Sequence, residues 1–145
     1  MSADPPTGDD PSLLDGLVQA SFATMAVLSR LGAQHDLSLT QLRVLAILRD
    51  RRLRMTELAD HLGLDKSTMT GLVDRAQKRG LLDRAPNATD GRAVDVVITA
   101  DGAQLAERLS GEIARDLAPL TSALPRADQR RLAVLLRQLL ARPLG

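Results

Sequence analysis

At 145 residues, 44% of them hydrophobic, the chain can bury a real core, as one domain or as a small reading head joined to an accessory helical part. It has no cysteine, two histidines and one aromatic residue, Phe22. This excludes a disulfide framework, a thiolate metal site and a thiol redox sensor, and makes a ring-stacking ligand pocket hard to build. The net charge of +1 conceals a split of −4 over residues 1–42, +4 over residues 43–92 and +1 over residues 93–145, so the positive excess sits mid-chain, as a phosphate-contacting surface requires.

The N-terminus lacks the basic-then-apolar layout of a signal peptide, and no run of eighteen apolar residues follows. A cytoplasmic protein with no membrane partner is expected. Residues 1–11 are rich in proline and aspartate, with little to bury, and read as a disordered arm. Ser12 with Asp15 resembles a helix start. From Leu14, the apolar residues Leu17, Val18, Phe22, Met25, Leu28 and Leu31 recur at three and four, predicting a helix that ends near Gly32 or His35. A small head cannot cover so long a stripe, which implies a partner helix. After Asp36, Ser38 or Thr40 caps a second helix with Leu42, Leu45 and Leu48 inward, and Gln41 sits near its N-terminus, where free N–H groups could hold a phosphate. Arg49-Asp-Arg-Arg-Leu-Arg54 reads as a basic turn, either a solvated helix end or a DNA-backbone contact.

From Met55 the pattern sharpens into two short helices meeting at a corner. Gly63 is the residue type that ends a helix in the left-handed conformation, and Asp65 can accept the free N–H groups that open the next one. Leu58, Leu62, Leu64, Met69, Leu72 and Val73 fall where crossing helices face one another, with the small Ala59 at their closest approach. An ordinary helical hairpin shares that spacing but has no need of the polar opposite face. With Met69, Leu72, Val73 and Ala76 inward, Lys66, Ser67, Thr70, Gly71, Asp74, Arg75 and Lys78 point outward. In a helix-turn-helix, the first turns of this helix enter the major groove. Ser67, Thr68 and Thr70 would then offer short donors and acceptors, Arg75 a bidentate contact, and Gly71 close backbone approach.

Two β-prone runs follow, Gly80–Arg84 and Val94–Thr99, joined by a polar loop with Pro86 and Gly91 as turn formers. A hairpin in this place is a wing. Arg92 near its tip suits a narrow minor groove. Asp90 is expected to hold an arginine, Arg92 or Arg84, in position. Thr99 can cap a helix bearing Leu105, Leu109, Ile113 and Leu117, with Pro119 as a stop or kink. Pro125 opens a last helix with Leu132, Leu135, Leu136, Leu139 and Leu140 on one broad face. Burial of these leucines, with Leu14 and Leu17, against a second copy is the reading preferred over an intramolecular bundle of the first, fifth and sixth helices.

The expected fold is therefore mainly α with a small β-hairpin wing: a winged helix-turn-helix over residues 37–99, with residues 12–36 and 100–145 forming a helical dimerisation region. The motifs Leu39-Thr40-Gln41, Val44-Leu45, Leu58-Ala59, Gly63 to Thr68, Leu72 to Arg75, Gly80-Leu81, Asp90-Gly-Arg92, Ile98-Thr99 and Gly102, in that order, resemble the MarR family of bacterial transcriptional regulators. That resemblance implies a homodimer on a pseudo-palindromic operator, commonly a repressor, released by a small-molecule effector bound between dimer region and head. The sequence departs from the family pattern at Gly91, where the first of two wing arginines is usual, and in lacking pocket aromatics.

No enzyme is expected, since no phosphate loop, nucleophile elbow or paired catalytic carboxylates stand out. No cofactor or metal is expected either, because His35 and His61 lie on different helices without a cysteine to join them. The rival reading is a winged-helix adaptor or anti-activator that binds protein. It would be indifferent to salt and to loss of Arg92.

Overall fold

Side-chain caps set most of the helix boundaries. Asp10 accepts the Ser12 N–H at 2.9 Å and Pro11 takes the first helical position, opening α1 (Pro11–Gln34). The computed structural model describes residues 10–141, so the expected arm over residues 1–11 lies mostly outside the described residues. Its last two positions belong to the start of α1, ahead of the expected Ser12. Ser38, rather than Thr40, caps α2 (Leu39–Leu48). Its hydroxyl accepts the Gln41 N–H at 3.1 Å while Gln41 Oε1 accepts the Ser38 N–H at 2.8 Å, a reciprocal capping box.

The expected basic turn after α2 contains a strand. Leu53 and Arg54 form β1 (Leu53–Arg54), too short to show alternation in the sequence, and the chain passes directly into α3 (Met55–Leu62). Gly63 ends α3 at φ 65°, the left-handed conformation expected of it, and Asp65 caps α4 (Lys66–Lys78). The wing strands are β2 (Leu82–Pro86) and β3 (Val94–Ile98). The first begins later than the expected Gly80, because Gly80 (φ 74°) and Leu81 close the end of α4, with the Leu81 N–H on Ala76 O at 3.0 Å. The antiparallel sheet has order β1-β3-β2, with Leu53 opposite Val96 and Arg84 opposite Val96 on the other side.

Thr99 caps α5 (Ala100–Thr121) through the Gly102 N–H at 3.0 Å and donates its hydroxyl to Gly80 O at 2.6 Å, joining the long helix to the end of α4. Pro119 lies inside α5, two residues before its end, and does not itself stop the helix. So near the C-terminus its missing N–H costs one helical bond, and the helix ends at Thr121 with the Ser122 N–H on Ala118 O. Pro125 precedes α6 (Arg126–Leu140).

One core unites these elements. Val44 and Leu48 from α2, Leu58 from α3, Met69 and Val73 from α4, and Val96 from β3 are all at most 1% exposed. Full burial stabilises by about 1.5–3 kcal/mol for each such side chain. Ala106 and Leu109 extend this core onto α5. No residue of α6 is buried within the single chain, so the intramolecular bundle of first, fifth and sixth helices does not form.

Among the described glycines the tightest position is Gly102, where an added Cβ would lie 2.1 Å from Leu81 O and 2.8 Å from Ile98 Cγ1. Gly102→Ala gains up to about 1 kcal/mol of helix propensity but must displace backbone. Denaturant unfolding is expected to show a net loss of about 2 kcal/mol or more.

Candidate nucleic-acid interface

The outward face of α4 is organised by its cap. Asp65 Oδ1 accepts the Thr68 N–H at 2.7 Å and the Ser67 hydroxyl at 2.8 Å. These bonds, the Thr68 amide foremost, hold the Asp65 carboxyl below its usual range, so the helix opens on a charged cap. Met69, Leu72, Val73 and Ala76 are buried, leaving Lys66, Ser67, Thr68, Arg75 and Lys78 exposed and Thr70 and Gly71 half-buried. Ser67 spends its proton on Asp65, and the Thr70 hydroxyl donates to Lys66 O at 2.8 Å. Outward, both hydroxyls therefore present acceptor lone pairs, and the charged donors on this face are Lys66, Arg75 and Lys78. A Cβ added at Gly71 would come 3.4 Å from Arg75 Nη1. That is an ordinary van der Waals distance, so the guanidinium lies beside Gly71 without requiring a glycine there.

Arg84 and Asp90 have partners other than those expected. Arg84 reaches back from β2 to α4, donating to Asp74 Oδ1 at 2.6 Å and to Gln77 Oε1. Asp90 holds no guanidinium. Its Oδ1 accepts the backbone N–H of Arg92 at 3.0 Å, a local turn bond that leaves the exposed Arg92 side chain free of ion pairs among the described residues. Gln41, expected near a phosphate, has its side-chain oxygen committed to the capping box of α2. Leu14, Leu17, Leu132, Leu135, Leu136 and Leu139 are all exposed on α1 and α6.

Sequence reading missed the network at the base of the wing. Asp95, 4% exposed on β3, accepts Arg52 Nε at 2.8 Å and Asn87 Nδ2 at 2.9 Å. Arg52 also donates to Pro86 O at 3.1 Å. Asn87 Oδ1 in turn accepts the N–H groups of Thr89 and Asp90, both at 3.0 Å. The Asn87 bond first, then Arg52, draws the Asp95 carboxyl below its usual range against the opposing effect of burial. A signal was available: Asp95 is the one charge in a β-branched strand.

Between the start of α3, the start of α4 and the wing lies a groove of about 270 Å³, lined by Arg54, Thr56, Lys66, Thr70, Arg84 and Arg92 among others. Four cations and no carboxylate face it, so it suits a phosphate. A second cavity of about 450 Å³ lies between α1, α2 and α5, walled by Met25, Leu28, Leu42, Leu109 and Ile113, with Arg43, Arg49 and Ser110 as polar members. Arg49 is held there by Glu107 at 2.7 Å and Ser110 Oγ at 3.1 Å.

A helix-turn-helix whose outer helix faces solvent beside a cation-lined wing defines a winged helix-turn-helix protein. Comparison with known proteins specifies it further. The MarR family model matches residues 35–93. The repressor IacR of Pseudomonas putida is 37% identical over 91 residues, covering 62% of this chain and 54% of that one. The solved structure of NadR in complex with 4-hydroxyphenylacetate superposes with a TM-score of 0.74 at 27% identity, covering 94% and 97% of the two chains. A mutant MarR from E. coli complexed with operator DNA gives a TM-score of 0.70 at 25% identity, covering 90% and 94%. The chain is thus similar to the MarR family of bacterial transcriptional regulators, over residues 35–93 by the family model and over nine-tenths of its length in fold. It spans about half the length of the curated relatives it matches, several of which are named as transcriptional regulators or repressors.

Because its carboxyl is drawn down in the folded state, Asp95 contributes stability that is present above the unfolded carboxylate value of about 4 and is lost as pH falls through the lower folded value. Asp95→Asn is expected to flatten the acid limb of the stability profile below about pH 4 and to speed amide hydrogen exchange over residues 87–93. Unchanged exchange in that loop would show that the network does not hold the wing.

Proposed function

We propose that this chain is a sequence-specific DNA-binding transcriptional regulator, working as a homodimeric repressor on a pseudo-palindromic operator. The observation that carries this reading is the carboxylate-free groove from Arg54 to Arg92, continuous with the exposed face of α4. Lys66, Thr68 and Arg75 meet base edges and phosphates in the major groove, Ser67 and Thr70 accept through their remaining lone pairs, and Arg92 enters the minor groove. The similar E. coli MarR, whose solved structure is a complex with operator DNA, supports duplex DNA as the partner.

The dimer is supported by leucines that the single chain leaves uncovered on α1 and α6, from Leu14 and Leu17 to Leu135 and Leu139. Helix α1 is long and apolar enough by composition to cross a membrane. Its apolar stripe is assigned here to the partner copy, in keeping with the family. The cavity between α1, α2 and α5 is proposed as an effector site. A ligand there would change the separation of the two heads, and since both must engage at once, a small change would release the DNA. The similar NadR, whose solved structure is a complex with 4-hydroxyphenylacetate, supports a small molecule as a partner.

Operator affinity, measured over a salt series against the DNA upstream of the gene and a scrambled duplex, should favour the native fragment and fall steeply with salt. Arg92→Ala is expected to weaken binding about tenfold and to lower the salt slope by about one. Binding without discrimination, or insensitive to salt and to Arg92, would move the protein-binding adaptor to first place.

Leu136→Glu places a charge in the proposed interface without touching the head. Sedimentation should show monomers, and operator affinity should fall about a hundredfold or more as the second head is lost. A dimer that persists with full affinity would exclude α6 from the interface.

A further inference from the structure

We propose, resting on the operator-binding reading above, that Arg79 is a positioning residue that sets the tilt of α4 against α1, and so the separation of the two reading heads in a dimer. Arg79 follows the last residue of α4. Its Nη1 donates to Asp36 O at 2.7 Å and its Nη2 to His35 O at 2.8 Å. Both acceptors lie just beyond the end of α1, where carbonyls lack helical partners and a cation is favoured by the helix dipole. The junction is shaped for this contact: Asp36 has φ 55°, a left-handed conformation that a residue with a Cβ adopts at a cost, and the two successive carbonyls converge on one guanidinium.

The acceptor side is itself anchored. His35 Nε2 lies 3.0 Å from Glu112 Oε2, so the residue that receives Arg79 is tied through its ring to α5. The far side of the α4 terminus is tied to α5 as well, through the Thr99 hydroxyl on Gly80 O at 2.6 Å and the Thr99 N–H on Leu81 O at 3.1 Å. Core packing fixes which face of α4 is buried, and these two attachments at its C-terminal end fix its tilt against α1. Helix α4 has 13 residues, a lever of roughly 20 Å. A tilt of about 5° at the Arg79 end moves Lys66 and its neighbours by roughly 2 Å. In a dimer that displacement occurs at both heads.

The test uses the full chain. A two-fold duplex is first selected from a random pool with wild type. Affinities are then measured for that duplex, for versions with the half-sites one base pair closer and farther, and for a single half-site, alongside thermal unfolding midpoints. Wild type is expected to lose at least roughly tenfold per base pair of misplacement. Arg79→Met should flatten this to about threefold or less while leaving single half-site affinity nearly unchanged, with Arg79→Lys, a point donor at the same place, in between. A merely structural role would lower the midpoint and weaken every duplex alike with the spacing optimum kept, and that result, like an unchanged profile, overturns the inference. Should Arg79→Met fail to fold, Arg79→Lys carries the test with the same outcomes. Failure of wild type to prefer any duplex would instead remove the operator-binding reading, and this inference with it.

Discussion

The burial of one face of α4 is the constraint on which the rest of the molecule depends. Met69, Leu72, Val73 and Ala76 return every three or four residues and share one buried core with Leu58 of α3, Leu82 of β2 and Val96 of β3. Rotating α4 by a quarter turn would expose two of them and drive charged side chains into the core, at a cost of several kcal/mol. The orientation of Lys66, Thr68 and Arg75 toward solvent is therefore a consequence of core packing.

Around that core the charged residues fall into two groups. Arg52, Arg79 and Arg84 have protein acceptors and connect elements: Arg52 joins β1 to the wing base through Asp95, Arg84 braces β2 against α4, and Arg79 ties α4 to the end of α1. Lys66, Arg75 and Arg92 take part in no ion pair among the described residues. Each contact of the first group joins two elements, through a buried carboxylate at Asp95, an exposed one at Asp74 and backbone carbonyls at His35 and Asp36. The second group keeps its charge available for phosphates. The wing loop is shaped by the bonds of Asn87 to Asp95 and to the Asp90 N–H.

The two long helices face a different problem. Helix α5 shares the core of the head through Ala106 and Leu109, but α6 buries nothing and α1 leaves Leu13, Val18 and Phe22 exposed. Uncovered apolar surface of this extent is what the proposed dimer would bury. The apolar cavity lies where α1 and α5 meet α2, at the boundary between that surface and the head, so an occupant would press on both.

What the sequence determined by itself were the local features with a period or a cap: the helices, the corner at Gly63 and Asp65, the inward face of α4, the existence of a hairpin, and the unpartnered leucines. Each depends on residues a few positions apart, whose spacing is visible in the chain. Tertiary structure decided the pairings across distance. The partner of Asp95 is Arg52, 43 residues away, and that of Arg84 is Asp74 rather than Asp90. β1 is too short to carry a pattern of its own, and exists because the edge of β3 was open to it. With many arginines and many carboxylates in one chain, nothing local distinguishes one possible pair from another. Only packing, by fixing which backbones lie within reach, selects the pairs that form and the cations that stay free.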